Sequence, residues 1–210
     1  WRRQIRKLRF HLPLHSPFAI FVNLIVKHIT RLNIMNELFN ISGKTVVMTG
    51  ATGILGSCIS RYLAHEGAIM IIMGRNHEHG NSLVKDITEA GGTALFLPCD
   101  VLDRPSLERC RDTVLKQYGR IDVLINAAGG NMPGATIPTD KTFFDMSTED
   151  FKKVVDLNLL GTVLPTQVFA EDMATRKKGV IVNFSSESAL RPLTRVVGYT
   201  SAKAAVQQFT

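Results

Sequence analysis

Six consecutive apolar residues, Ala68 to Met73 (AIMIIM), constrain this chain more than any other stretch. The run is far too short to cross a bilayer and offers no polar face to water, so it reads as a strand buried on both faces. Strands of that kind belong to parallel sheets, whose neighbours are joined by crossover helices. The sequence supplies both. From Met35 onward β-rich runs alternate with helical ones, with strands expected at Thr45 to Thr49, Thr93 to Leu97, Ile121 to Asn126 and Gly179 to Ser185. Helices are expected at Ile54 to Glu66, Asn76 to Ala90 and Pro105 to Tyr118. A longer one, Thr148 to Lys177, is capped by Ser147 and must be kinked or split by Pro165, and a last helix starts near Gly198.

The first strand breaks into a glycine-rich turn, KTVVMTGATGILG from Lys44 to Gly56, and the turn opens a helix. Gly50 permits a sharp turn with positive φ, Gly53 lets the backbone approach a pyrophosphate, and Gly56 lets the new helix pack closely on the sheet. The helix N-terminus then offers unpaired N–H groups and a positive dipole end to an anion. The expected fold is α/β: a Rossmann-type doubly wound parallel sheet flanked by helices.

Charge says little about partners. The net charge is +7, but residues 1–34 carry 7 basic side chains and no acid, leaving 18 basic against 18 acidic in the remainder. Neither nucleic acid nor a membrane is therefore expected as a partner. Residues 1–34 read as an extension outside the domain, from upstream translation or a targeting-like segment, with Met35 as the start. Residues 35–210 read as a nucleotide-binding domain that stops at Thr210 within an apolar helical run, as a C-terminally truncated fragment would. Cys58, Cys99 and Cys110 have no ligand-like spacing, so no metal is expected; they read as small buried hydrophobes of a reducing, cytoplasmic protein.

Chemistry-bearing residues gather late in the chain. Tyr199 and Lys203 are four apart, one turn along one helix face. Tyrosine ordinarily titrates near 10, and an adjacent ammonium favours the phenolate, so the pair can work as an acid–base couple. Ser186 follows the fifth strand, where its hydroxyl can donate to a substrate oxygen. Asn126 with Ala127, Ala128 and Gly129, and Asp100 with Val101, end two other strands at the same edge of the sheet. The long loop from Asn131 to Met146 leaves that edge too and is a candidate substrate wall.

Together, TGATGILG at 49–56, Asp100-Val101, NAAG at 126–129, Asn158, Ser186 and YTSAK at 199–203 resemble the short-chain dehydrogenase/reductase family over residues 38–210. The resemblance implies an NAD(P)-dependent oxidoreductase acting on a CH–OH group. Tyr199 would be the acid/base on the substrate oxygen. Lys203 would favour its ionised form and hold the nicotinamide ribose, Ser186 would orient and polarise the carbonyl, and Asn158 would support a water-mediated proton path. Gly50, Thr52, Gly53, Leu55 and Gly56 would hold the cofactor, with Asp100 and Val101 beside the adenine. Ala127 and Ala128 would line it, and Asn126 would chiefly brace the sheet. The middle glycine, Gly53, comes one residue earlier than the family's usual TGxxxGxG places it. That spacing also occurs in branches that bind cofactor without catalysis, against which Ser186, Tyr199 and Lys203 argue.

At the end of the second strand stand Met73, Gly74, Arg75 and Asn76, with no acid before Glu78. An acid there would bind the ribose 2′-OH of NAD, whereas Arg75 accommodates a 2′-phosphate, so NADP is favoured over NAD. Residues 141–169 and 191–206 further resemble D-mannonate oxidoreductases, also called fructuronate reductases. That resemblance implies a sugar-acid substrate whose carboxylate needs a cation, for which Arg195, Arg191 and Lys141 are the candidates. The alternatives are another short-chain reductase substrate, a keto-gluconate or a 3-oxoacyl thioester, or a non-catalytic cofactor-binding regulator. The resemblance also implies a homo-oligomer at full length, assembled through the two long helices.

Overall fold

In the computed structural model residues 39–210 are described, so the expectations for residues 1–34 and Met35 lie outside the described residues. The elements alternate as the apolar runs dictate: β1 (Thr45–Thr49), α1 (Ile54–His65), β2 (Ile69–Gly74), α2 (His77–Glu89), β3 (Thr93–Pro98), α3 (Arg104–Tyr118) and β4 (Val123–Asn126). After the long loop come α4 (Thr148–Val155), a π-helical turn (Asp156–Leu160), α5 (Gly161–Thr175), β5 (Val180–Asn183) and α6 (Val197–Phe209). All neighbouring strands run parallel, in the order β3-β2-β1-β4-β5.

The two-residue period of the strands divides the core into two layers. On one face Val47, Ile71, Met73 and Leu124 meet α3 and α5 through Leu107, Val114, Val168 and Phe169. On the other, Val46, Met48, Met70, Ile72 and Ile125 meet α1 and α2 through Ala64, Leu83 and Ile87. The central strands are therefore covered on both sides, as the apolar run at 68–73 requires. β5 is different: it lies at the sheet edge, and Val180 and Val182 are 56% and 42% exposed. Among the described residues, no helix is long and apolar enough to cross a membrane.

Two expectations need correction. The long helix is split, but not at Pro165, which sits inside α5 and is buried. The break is the π-helical turn ending just before Gly161. Pro165 lacks the amide that would bond to the Gly161 carbonyl, and its ring crowds that carbonyl. The widened turn takes up the misfit one turn upstream, where it also serves Asn158. Cys58, expected inside, is exposed, whereas Cys99 and Cys110 are buried. The buried stripe of α1 is Gly56, Ser60 and Ala64, and Cys58 lies half a turn away from it.

Gly56 is where helix and sheet are closest. A Cβ there would lie 2.3 Å from the Gly50 carbonyl oxygen and 2.7 Å from Ala51 Cα, both backbone atoms that cannot swing aside. Replacing Gly56 with Ala should lower stability by about 1–3 kcal/mol. Urea unfolding measures it, and an unchanged midpoint would contradict this packing.

Candidate cofactor and catalytic site

Strand order reverses between β1 and β4, and a crevice opens beyond their carboxyl ends. Two contacts hold its floor. Thr49 Oγ1 accepts from the amides of Ala127 and Ala128, both at 3.2 Å, tying the end of β1 to the end of β4. Gly50 turns away with φ +64, and a Cβ on it would lie 2.6 Å from the Ala127 carbonyl oxygen, so only glycine fits.

The crevice holds a cavity of about 450 Å³, inside the range of roughly 300–1,000 Å³ usual for small-molecule sites. At one end α1 begins without a side-chain cap, and its first intrahelical bond is Ser57 N–H to the Gly53 carbonyl. The amides of residues 54–56 are thus left to the cavity. Gly53 lines it as well. A Cβ there would meet the Gly50 carbonyl oxygen at 3.3 Å, a tight contact but one that a shift of a few tenths of an ångström relieves, so the packing demands glycine here far less than at Gly50 or Gly56. Space, bare amides and a dipole end together suit a phosphate group.

Most of the expected cofactor residues meet here: Gly50, Thr52, Gly53, Leu55, Gly56, Arg75, Asp100, Val101, Ala127 and Ala128 all line the cavity. Arg75 is exposed and has no ion-pair partner among the described residues. Asp100 Oδ1 accepts from the Leu102 amide at 2.9 Å, which fixes the turn after β3. Asn76 stands apart: its side chain accepts from His79 N–H at 2.9 Å and caps α2. Asn126 is buried and braces the strands, donating to Thr166 Oγ1 and Asn183 Oδ1, each at 2.9 Å. Sequence reasoning missed Leu157, Phe184 and Cys99, which also line the cavity. Leu157 and Phe184 adjoin Asn158 and the Ser185-Ser186 pair, and that adjacency was the only signal they offered.

The second half of the site is built where β5 ends against α6. Lys203, only 5% exposed, donates from Nζ to the Phe184 carbonyl at 2.7 Å. In return Ser185 Oγ donates to the Lys203 carbonyl at 3.1 Å. These two bonds fasten residues 184–186 to the turn of α6 that carries Tyr199 and Lys203. Tyr199 is half-buried, with the Lys203 ammonium 5.8 Å from its ring centroid. Burial pushes the Lys203 amine below the ordinary lysine value. Ser186 ends the segment and opens the short 3-10 turn Glu187–Ala189.

Gly129 joins the two halves. It lines the cavity, and a Cβ on it would lie 2.6 Å from Asn158 Oδ1 and 3.3 Å from Lys203 Nζ. Asn158 is fully buried and held by three hydrogen bonds: Oδ1 accepts from Gly130 N–H at 3.0 Å, and Nδ2 donates to the carbonyls of Gly130 at 2.7 Å and Val154 at 2.8 Å. The π-helical turn thus presents its asparagine to the backbone that follows β4.

The candidate cations lie farther along. The Arg195 guanidinium is folded onto the loop carbonyls of Ile137, Pro138, Thr139 and Lys141. Its backbone is left-handed, φ +68, held by the Ile137 amide on its carbonyl at 2.9 Å. Arg195 therefore clamps the loop from Asn131 to Met146. Arg191 makes an exposed ion pair with Glu187 at 3.6 Å.

A parallel sheet with a glycine turn at its switch point and a crevice beyond its carboxyl edge defines a Rossmann-type α/β domain. The chain belongs to the short chain dehydrogenase family, whose sequence profile matches residues 44–210. An uncharacterized oxidoreductase of Bacillus subtilis, UxuB, is 42% identical over 179 residues, covering 81% of this chain and 64% of the relative. A Haemophilus influenzae protein solved with bound NAD, provisionally assigned as a D-mannonate oxidoreductase, is 36% identical with a TM-score of 0.77, covering 81% of this chain and 65% of that one. An actinorhodin polyketide ketoreductase solved with NADPH is 30% identical, TM-score 0.73, over 80% of this chain and 62% of that one. The chain spans 64% of the length of that Bacillus subtilis relative and of a second curated relative it matches, from Haemophilus influenzae.

Two measurements test this geometry. Gly53→Ala should cost no more than about 1 kcal/mol of unfolding free energy but weaken nucleotide binding at least about tenfold; calorimetric titration and urea melts separate the two. Because its folded pKa lies below the unfolded one, Lys203 holds its proton less tightly in the fold, so stability rises with pH between those two values. Wild type should accordingly gain on Lys203→Met as pH climbs toward about 10.4. A stability difference that stays flat with pH means the lysine is not buried this way.

Proposed function

We propose that this chain is the nucleotide-binding and catalytic portion of an NAD(P)-dependent oxidoreductase that interconverts a secondary alcohol and a ketone on a sugar acid, D-mannonate and D-fructuronate. The observation that carries the reading is Gly129: this glycine forms the cavity wall, and a Cβ on it would run into the buried Asn158 and Lys203, which supports a single site shared by the glycine-turn crevice and the Tyr199 helix. When bound, the nicotinamide cofactor supplies the hydride donor or acceptor.

The chain's own residues divide the remaining work. Residues Gly50 to Gly56 take the pyrophosphate on free amides. Arg75, with no acid beside it before Glu78, favours a 2′-phosphate and hence NADP. Ser186 donates to the substrate oxygen and polarises the carbonyl. Tyr199 delivers a proton to that oxygen as the ketone is reduced and removes it as the alcohol is oxidised. The Lys203 ammonium, held in place by the Phe184 carbonyl beside the Tyr199 ring, reaches the nicotinamide ribose. Asn158 orders the backbone after β4 for a water-linked proton path.

The sugar-acid assignment rests on the likeness of residues 141–169 and 191–206 to D-mannonate oxidoreductases and on the structural neighbour given that provisional assignment. Arg195 can meet a carboxylate only by releasing loop carbonyls, so Arg191 and Lys141 stand beside it as the cations that would bind one. A keto-gluconate or 3-oxoacyl thioester is the competing substrate. In the full-length protein we further propose a cytoplasmic homo-oligomer assembled through the two long helices.

Full-length protein mixed with fructuronate and NADPH or NADH should consume the reduced cofactor, followed by its absorbance. A folded protein that turns over a keto-gluconate or thioester, but not fructuronate, sinks the substrate assignment. Tyr199→Phe should lose about 100- to 10,000-fold in kcat while binding nucleotide as before; near-normal turnover refutes the tyrosine's role.

A further inference from the structure

Ser188 has no part in the roles assigned above, yet it is buried at 2% exposure two residues beyond Ser186. Its backbone N–H donates to Ser186 Oγ at 3.2 Å, and its hydroxyl donates to the same oxygen at 3.0 Å. A serine hydroxyl has two lone pairs and one proton. With both lone pairs of Ser186 engaged by Ser188, the hydrogen-bonding capacity left to Ser186 in this arrangement is to donate its own proton elsewhere.

We propose that Ser188 is a positioning residue that fixes Ser186 as a one-way donor aimed at the substrate oxygen. The inference rests on the proposed role of Ser186 as the group that polarises the carbonyl. A ketone oxygen and an alkoxide can only accept, so a Ser186 hydroxyl free to rotate would spend part of its time presenting a lone pair to them. The Ser188 hydroxyl removes that orientation before substrate arrives, which is preorganisation of the kind that lowers a barrier. The 3-10 turn itself does not need this hydroxyl. The Ala189 amide closes the turn on the Ser186 carbonyl and the Ser188 amide caps it on Ser186 Oγ, and alanine at 188 would keep both bonds. A hydroxyl this deeply buried is costly without a partner, and Ser186 Oγ is the partner it has. The surroundings keep the pair in register, since the turn packs on α6 and residues 184 and 185 are bonded to Lys203.

Two experiments on the full-length protein test this. A neutron structure of the deuterium-exchanged protein should place the Ser188 deuterium on the line to Ser186 Oγ and the Ser186 deuterium pointing away from Ser188. The reverse arrangement overturns the proposal, whatever the substrate. In kinetics with a ketone that the enzyme reduces, Ser188→Ala should lower kcat about three- to tenfold, the worth of one neutral hydrogen bond, with KM for the nicotinamide cofactor unchanged. Ser188→Cys, which keeps a weak donor, should recover part of the loss. On a Ser186→Ala background, Ser188→Ala should change nothing further, because its effect passes through Ser186. An equal loss on both backgrounds marks Ser188 as merely structural and refutes the proposal. A folded protein that reduces no carbonyl compound removes the oxidoreductase reading beneath it, whereas a misdirected Ser186 deuterium in an active enzyme removes only the role of Ser188.

Discussion

The contact between the ends of β1 and β4 is the constraint on which the rest of the site depends. Thr49 Oγ1 receives two successive amides from Ala127 and Ala128, and Gly50 turns away where no Cβ could pass the Ala127 carbonyl. Because the two strands are fastened this tightly, the following chain has to diverge. α1 leaves toward one face of the sheet, while the segment after β4 runs toward Asn158. The crevice is the space between those paths. Any side chain at Gly50 or Gly56 would push the strands or the helix apart and alter the cavity itself.

On the far side of the crevice the polar groups are held by reciprocal bonds. Lys203 donates forward to Phe184 while its own carbonyl accepts from Ser185, so the strand end and the helix locate each other. Burying an ammonium disfavours its charged form, and one carbonyl offsets only part of that. The π-helical turn belongs to the same scheme. It accommodates Pro165 at the level of Gly161 and fixes Asn158 with three hydrogen bonds to backbone. A straight α-helix would carry position 158 round to a different bearing.

Strands were legible because burial on both faces leaves a continuous apolar signature, as at residues 68–73, and helices because glycines end them. The glycine turn was legible because only glycine tolerates the φ at Gly50 and the clearance at Gly56. Cys58 was misplaced because a cysteine's chemistry does not reveal which side of a helix it occupies; the Gly56–Ser60–Ala64 stripe decides that. Asn76 and Arg195 lay near the expected positions, but their side chains close onto the protein, one capping α2 and the other clamping the loop. Such competition between a ligand and the protein's own backbone leaves no mark in sequence spacing.

The sequence by itself determined the kind of sheet, the position of the glycine turn and the one-turn spacing of Tyr199 and Lys203, since these follow from local periodicity and local sterics. Only the tertiary structure decided that Gly129 brings the crevice to Lys203 and Asn158, that the helix break falls upstream of Pro165, and that Ser188 is bonded to Ser186. The first brings together residues dozens of positions apart in the chain, and it arises because a parallel sheet delivers every strand's carboxyl end to one edge. The second lies within one helix, where the misfit of Pro165 is taken up a turn earlier. The third is local, but it depends on a burial and a hydroxyl direction that composition and spacing do not encode.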